Sequence, residues 1–178
     1  MYIFNEKMIS TFPGEAKTFM SFDEAVDDTC NYYQEEFLNS LTPNGLPPYK
    51  LTLKLNCPIM LLRNLDPSNG VCNGTRMVCR AFAGNVIHEK ITIGEHAGKQ
   101  VLLPRISLSS AENKGYPFHF KRKQYPICLC FTMTINKAQG QTISNVGIYL
   151  PQPVFSHGQL YVALSRGISM STTKILIK

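Results

Sequence analysis

The sequence predicts an α/β fold: part of a parallel sheet with covering helices, interrupted by a small inserted β-barrel. Three observations predict it. From residue 127 to the end, strand and helix patterns alternate, as they do in a parallel sheet covered by helices. Between 49 and 105, short runs of alternating apolar and polar residues follow one another with turn signals between them, the pattern of a small barrel. The run Thr42-Pro-Asn-Gly-Leu-Pro-Pro48 breaks the chain where the first pattern gives way to the second. The expected division is therefore 1–48 for the first part of the lobe, 49–124 for the barrel and 125–178 for the rest of the lobe.

Each element has its own warrant. The first dozen residues read as the end of a helix, stopped near Pro13-Gly14. A short extended piece at 17–22 leads into Asp23, Glu24, Asp27 and Asp28, read as a solvated acidic loop because no loop-glycine pattern of a calcium site accompanies them. Residues 32–41 form a helix with Tyr33, Phe37, Leu38 and Leu41 on one side. Leu51, Leu53 and Leu55 alternate with polar neighbours, as in a half-buried strand. Residues 59–62, 75–82, 86–93 and 101–105 supply further strands, and Asp66-Pro-Ser-Asn-Gly70 and Asn73-Gly74 are turns. A strand is expected over 127–135, another over 146–150, a helix after Pro151-Gln-Pro153 and a last strand over 173–177.

Composition bounds the function. The chain has 178 residues, 44% of them apolar and 17% charged, which suits one ordinary domain and excludes a disordered chain. A net charge of +6 favours a polyanionic partner without requiring one. The cysteines at 30, 57, 72, 79, 128 and 130 form no Cys-x-x-Cys, and the four histidines complete no zinc pattern. Cys128 and Cys130 share a face of the strand expected there, as buried thiols. Neither a signal peptide nor a long apolar span is seen, so a reducing intracellular compartment and no membrane association are expected.

Two stretches concentrate the chemistry. Phe131-Thr-Met-Thr-Ile-Asn-Lys-Ala-Gln-Gly-Gln-Thr-Ile143 runs from an apolar strand into a polar turn holding Asn136, Lys137, Gln139, Gly140 and Gln141. Such a turn sets backbone N–H groups and a lysine against phosphate. Phe155-Ser-His-Gly-Gln-Leu-Tyr-Val-Ala-Leu-Ser-Arg-Gly167 reads as a helix. Ser156 and Gln159 have capping-box spacing, and Leu160, Ala163 and Leu164 form an apolar stripe. Gln159 and Arg166 lie two turns apart on one face. A third stretch, Phe118-His-Phe-Lys-Arg-Lys-Gln-Tyr125, sets Phe118 and Phe120 beside Lys121, Arg122 and Lys123. Two readings of it stand side by side: a nucleic-acid surface of rings and cations, or a solvated basic turn whose aromatics cap the barrel. Ser156-His157 has no acidic partner at a suggestive spacing, which argues against a hydrolase triad.

The segments TINKAQGQTI and GQLYVALSRG, preceded by Pro58-Ile-Met-Leu-Leu-Arg-Asn-Leu-Asp-Pro67 and Gly70-Val-Cys-Asn-Gly-Thr-Arg76, resemble superfamily-one DNA helicases of the PIF (petite integration frequency) type. They also resemble the relatives of that family in Helitron transposons. The similarity runs from about residue 37 to the end and implies the second RecA-like lobe with a Src-homology-like barrel inserted in it. It implies that Arg166 is an arginine finger and that Gln139 acts with it in catalysis, with Lys137, Gly140, Gln141 and Gln159 near the nucleotide. It further implies that Thr132, Thr134 and Asn136 contact single-stranded DNA, with Asn136 standing where the broader superfamily often has histidine. Arg63, Asn64 and Asn73 match the barrel-entry motif, the two asparagines chiefly as turn and loop residues.

No Gly-x-x-x-x-Gly-Lys-Ser/Thr loop occurs, and no apolar strand ends in a paired Asp-Glu that would hold magnesium. The expectation is the C-terminal part of a helicase whose complete form uses ATP and Mg2+ in DNA repair and recombination. The missing N-terminal RecA-like lobe and single-stranded DNA are its expected partners. By itself the fragment is expected to bind no cofactor, to hydrolyse no ATP and to be a monomer from the nucleus or mitochondrion. The competing expectation is a non-catalytic nucleic-acid-binding or interaction module left by truncation.

Overall fold

The computed structural model describes residues 2–26, 28, 30, 32–109, 117–152 and 158–177. They fall into two compact units, Tyr2–Phe131 and Thr132–Lys178. Neither expected boundary, at 48/49 or at 124/125, separates these units, because strands from both flanks join the inserted region.

The first unit opens with α1 (Tyr2–Thr11), then β1 (Ala16–Met20), β2 (Phe22–Ala25), α2 (Glu35–Ser40) and β3 (Lys50–Lys54). Next come β4 (Pro58–Leu61), β5 (Arg76–Ala83), β6 (Val86–Ile91), β7 (Gln100–Pro104), β8 (Ile106–Ser109), β9 (Phe120–Gln124) and β10 (Ile127–Leu129). Three antiparallel sheets result: β10-β4-β5-β6-β7, β2-β9-β8 and the pair β1-β3. Among the described residues they do not close into one hydrogen-bonded barrel; separate sheets stand where a barrel was expected. The core holds Ile9, Phe19, Leu51, Leu53, Ile59, Leu61, Ile87, Tyr125 and Ile127. Lys54 is buried where it closes α1, donating from Nζ to the carbonyl of Phe12 at 2.6 Å. A cation there meets the negative end of the helix dipole.

Two strands depart from expectation. The strand foreseen over 127–135 ends at Leu129 and pairs antiparallel with β4 rather than entering a parallel sheet. Its ladder reaches Pro58, whose carbonyl accepts from Cys130 but which has no N–H to return. The segment read either as a nucleic-acid surface or as a solvated basic turn is instead β9, the middle strand between β2 and β8. Its burial alternates, with Phe120, Arg122 and Gln124 inward and Lys121 and Lys123 outward. Asp23, read in the sequence as part of a solvated patch, is buried opposite Arg122.

Arg122 is 0% exposed and donates through Nε to Asp23 Oδ1 at 2.8 Å and through Nη2 to Asp23 Oδ2. Its remaining donors meet the carbonyls of Pro47 at 3.0 Å and Leu41 at 3.1 Å. Ser21 Oγ donates to Asp23 Oδ1 at 2.7 Å. Four hydrogen bonds and a carboxylate partner are what make this buried guanidinium tolerable.

The second unit contains β11 (Val146–Leu150), α3 (Gln159–Leu164) and β12 (Thr173–Ile177). β11 and β12 are parallel, with α3 in the connection between them, as the α/β alternation predicts. The expected capping box is not the start of this helix: Gly158 stands at its N-cap with φ 84°, and Ser156 lies outside the described residues. Of the expected apolar stripe only Ala163 is buried, while Leu160 and Leu164 are exposed.

Glu89 on β6 is 1% exposed, and neither carboxylate oxygen has a hydrogen-bond partner among the described residues. Burial first, and then repulsion from the ionised Cys57 sulfur, push its pKa from 4.5 up to about 9. A carboxyl with a raised folded pKa stabilises the fold fully below its unfolded value and loses that contribution as pH rises towards the folded one. Stability is thus expected to fall from pH 4.5 to about 9, by about 3 kcal/mol at pH 7. Denaturant titrations of Glu89→Gln across this range should show that slope removed. Asp23→Ala should cost about 3–5 kcal/mol, because it leaves Arg122 charged and buried. Lys123→Ala, on the exposed face of the same strand, should stay within about 0.5 kcal/mol in the same assay.

Candidate nucleotide and nucleic-acid site

The second unit begins with the polar stretch that the sequence singles out. Residues Asn136–Ala138 form a single 3-10 turn, closed by the N–H groups of Ala138 and Gln139 on the carbonyls of Ile135 and Asn136. Thr134 Oγ1 accepts from the Lys137 N–H at 3.3 Å. Gly140 follows with φ 75°, a conformation that disfavours any side chain, and a Cβ there would meet open space. Asn136, Lys137, Gln139 and Gly140 are all exposed. Gln141 folds back, donating through Nε2 to the Lys137 carbonyl at 3.1 Å. Its Oε1 is a buried acceptor with no hydrogen-bond partner among the described residues.

Arg166 closes this turn from the other stretch. α3 ends at Leu164, so Arg166 lies beyond the helix and is aimed by carbonyls rather than by helical periodicity. Its Nε donates to Val162 O at 2.9 Å and its Nη1 to Gln141 O at 3.0 Å, with Ala138 O at 3.5 Å. Nη2 donates to Ser165 Oγ at 2.8 Å, a partner the sequence reading did not include. The backbone repeats the link: Ile143 N–H donates to Arg166 O at 2.8 Å, and Ile143 and Gly167 form a parallel bridge. Lys137, Gln139, Gly140, Gln141 and Arg166 are thus assembled on one turn. Gln159 is the half-buried first residue of α3, and Thr132 precedes the turn, also half-buried.

The expected nucleic-acid set on the first unit divides. Phe118 is 3% exposed and Phe120 1%, packed with Leu38 and Leu41 in a core cluster. Phe118 also meets the Tyr33 ring at 4.3 Å. With Arg122 in its ion pair, these three side chains are interior and offer no face to a base or phosphate, which corrects the surface reading. Lys121 and Lys123 remain on the outer face of β9. Asn64, read as a turn residue, accepts from the Asn73 N–H through Oδ1 at 2.8 Å, and Arg63 donates to Ser109 O at 3.1 Å.

Comparison with known proteins places the chain. Residues 36–82 match the family model described as DNA helicase Pif1, 2B domain. Over 97% of its length the chain is 30% identical to the ATP-dependent DNA helicase PIF1 of Homo sapiens. The chain is related to the Pif1-type DNA helicases. It spans about 25% of that human relative. In fold it is similar to the Pif1 helicase of Candida albicans, with a TM-score of 0.69 and 22% identity, covering 98% of this chain and 42% of that one. A Bacteroides Pif1 in complex with ADP-AlF3 and single-stranded DNA gives a TM-score of 0.67 at 22% identity, over 97% of this chain and 37% of that one.

The donor set of the Pif1-like turn fits one part of a magnesium nucleotide and not the other. Residues 132–178 contain Lys137, Arg166, Lys174 and Lys178 and no aspartate or glutamate, so four of the chain's net six positive charges lie there. Exposed cationic and backbone donors around Gly140 suit a phosphate. Mg2+ takes carboxylates, and this segment has none to give.

Because Arg166 occupies the Gln141 and Ala138 carbonyls, Arg166→Ala should loosen the turn without unfolding the first unit. Amide hydrogen exchange is the measurement. Ala138, Gln141 and Ile143 should exchange about tenfold faster, for the loss of about 1.4 kcal/mol of local hydrogen bonding. Amides of β5 and β6 should keep their protection.

Proposed function

We propose that this chain supplies the C-terminal part of an ATP-driven DNA helicase that translocates on single-stranded DNA. The observation that carries the reading is the seating of Arg166 on the carbonyls of Gln141 and Ala138, which joins the two Pif1-like stretches in one cationic turn. In this reading residues 1–48 and 125–178 belong to the second RecA-like lobe and residues 49–124 are the Src-homology-like insertion, whose strands pair with β1, β2 and β10 of the flanks.

A nucleotide held by a P-loop lobe would meet Lys137, the Gly140 backbone, Gln141 and Gln159 here. ATP supplies the phosphoryl group to be transferred, and Mg2+ would be held by carboxylates of the P-loop lobe. Arg166 acts as the arginine finger: Nη2 exchanges the Ser165 hydroxyl for a phosphate oxygen while Nε and Nη1 keep the guanidinium aimed. The orphaned Oε1 of Gln141 is suited to accept from a water, and Gln139 orients the same region. Thr132, Thr134 and Asn136 contact the phosphates of the strand, and Lys121 and Lys123 on β9 add cations. The nucleus or mitochondrion is the fitting location, and the protein acts as a monomer on its strand.

An oligonucleotide salt titration tests the DNA side. Lys121, Lys123 and Lys137 give three phosphate contacts, for a slope of log K against log salt near −2. Lys137→Gln should flatten that slope by about 0.7 and weaken all sequences alike. Salt-independent affinity would overturn the assignment. On the ATP side the isolated chain should show no turnover. In a polypeptide that includes the P-loop lobe, Arg166→Ala should lower turnover by roughly 10³-fold.

A further inference from the structure

The core of the first unit holds a pair of thiols that the nucleotide and nucleic-acid readings leave unused. Cys57 and Cys79 are fully buried with their Sγ atoms 3.8 Å apart. Cys79 N–H donates to Cys57 O at 3.3 Å and Asn56 N–H to Cys79 O at 2.7 Å, so the two backbones already run at sheet spacing. Neighbouring strands lie about 5 Å apart, inside the range of Cα separations that a disulfide spans.

The backbone beside both sulfurs is irregular. Asn56, immediately before Cys57, has φ 64°, a left-handed conformation unusual for a residue with a side chain. The β5–β6 register shifts between Cys79 and Ala81. The exposed Leu55-Asn56 turn is tied down by Arg80, whose Nη1 donates to Asn56 Oδ1 at 2.5 Å. Releasing that one side-chain contact and the Asn56–Cys79 hydrogen bond would open the turn over Cys57 while the rest of β5 stays paired. Opposite Cys79 stands Glu89, whose unpartnered carboxyl makes this the polar point of the sheet core.

We propose that Cys57 and Cys79 are a reversible oxidation site, forming an intramolecular disulfide by exchange with a low-molecular-weight disulfide of the glutathione type. With the turn open, the Cys57 thiolate attacks one sulfur of the small disulfide and releases one thiolate. The Cys79 thiolate then attacks Cys57 Sγ, breaks the mixed disulfide and releases the second. Both protein thiols are oxidised, one small disulfide is reduced to two thiols, and the two S–H protons end on the released pair. The product staples the Leu55-Asn56 turn to β5. Contact with Cys79 lowers the Cys57 pKa, while the same contact and burial raise that of Cys79, so Cys57 is the attacking sulfur and Cys79 gives up its proton only in the second, ring-closing step.

The full chain, treated with oxidised glutathione in native buffer, acid-quenched and mapped by peptide mass spectrometry, tests this. The expected result is a Cys57–Cys79 linked peptide lacking two hydrogens, a higher thermal midpoint for the oxidised chain, and reversal of both by dithiothreitol. Cys30, which is exposed, should instead carry glutathione and serves as the internal clock. Arg80→Ala should speed the linkage severalfold and leave its product unchanged. Recovery of Cys57 and Cys79 as free thiols after Cys30 has been fully converted would overturn the proposal. So would separate glutathione adducts on the two residues, or a link that forms only in urea. The mapping uses the unaltered chain, so its outcome does not depend on a core variant folding.

Discussion

The first unit depends on one buried ion pair. Arg122 and Asp23 stand 99 residues apart in sequence and directly opposite each other on β9 and β2. The guanidinium also holds the carbonyls of Leu41, just past α2, and Pro47, in the run that leads to β3. A charge removed from water is tolerable only when it is paired and hydrogen-bonded. Here that requirement brings together β2, the end of α2, the proline-rich connection and the central strand of a three-stranded sheet. The apolar cluster of Leu38, Leu41, Phe118 and Phe120 then packs beside the pair. The Pro-Pro segment, which looks like a domain boundary in the sequence, becomes an internal ligand of an arginine.

That constraint explains why cations of one triplet have different fates. A strand sends alternate side chains to opposite faces, so a basic run cannot lie wholly on the surface when its middle residue faces a carboxylate. Lys121 and Lys123 keep their solvent, while Arg122 is given to the fold. Arg166 shows the same behaviour more mildly. Its guanidinium is half-held by backbone carbonyls, and one nitrogen rests on an exposed hydroxyl that a stronger anion can replace. One arginine is structural because all its acceptors are buried and permanent, and the other is poised because one of them is not.

The sheet core follows the same rule at its weakest point. Glu89 lies inward on β6 with no donor to meet it, and burial keeps the group protonated at neutral pH. Two thiols beside it and a left-handed asparagine at the adjoining turn gather the irregularities of the sheet in one place. Around it the cluster is mainly aliphatic and aromatic, and β6 itself alternates regularly between buried and half-buried positions.

The order of the elements was legible because it rests on local chemistry. The stop after α1 at Pro13-Gly14, the alternation of Leu51 and Leu53, the 146–150 and 173–177 strands, and the polar turn with its glycine all depend on neighbours within a few residues. The motif at 136–141 and the arginine at 166 were visible for the same reason, as residue types at fixed spacing. Pairing was not legible. Whether Ile127–Leu129 joins a parallel lobe or an antiparallel sheet depends on β4, some 65 residues earlier, and on the missing N–H of Pro58. Burial of Arg122, Gln124 and Asp23 was hidden because polar residues read as solvent-facing until a distant partner satisfies them. The sequence by itself therefore determined which segments turn, extend and carry charge near the glycine of the site. Only the tertiary structure decided which of those charges remain free to meet a ligand, because hydrogen-bond satisfaction is settled by partners that the chain brings together from far away.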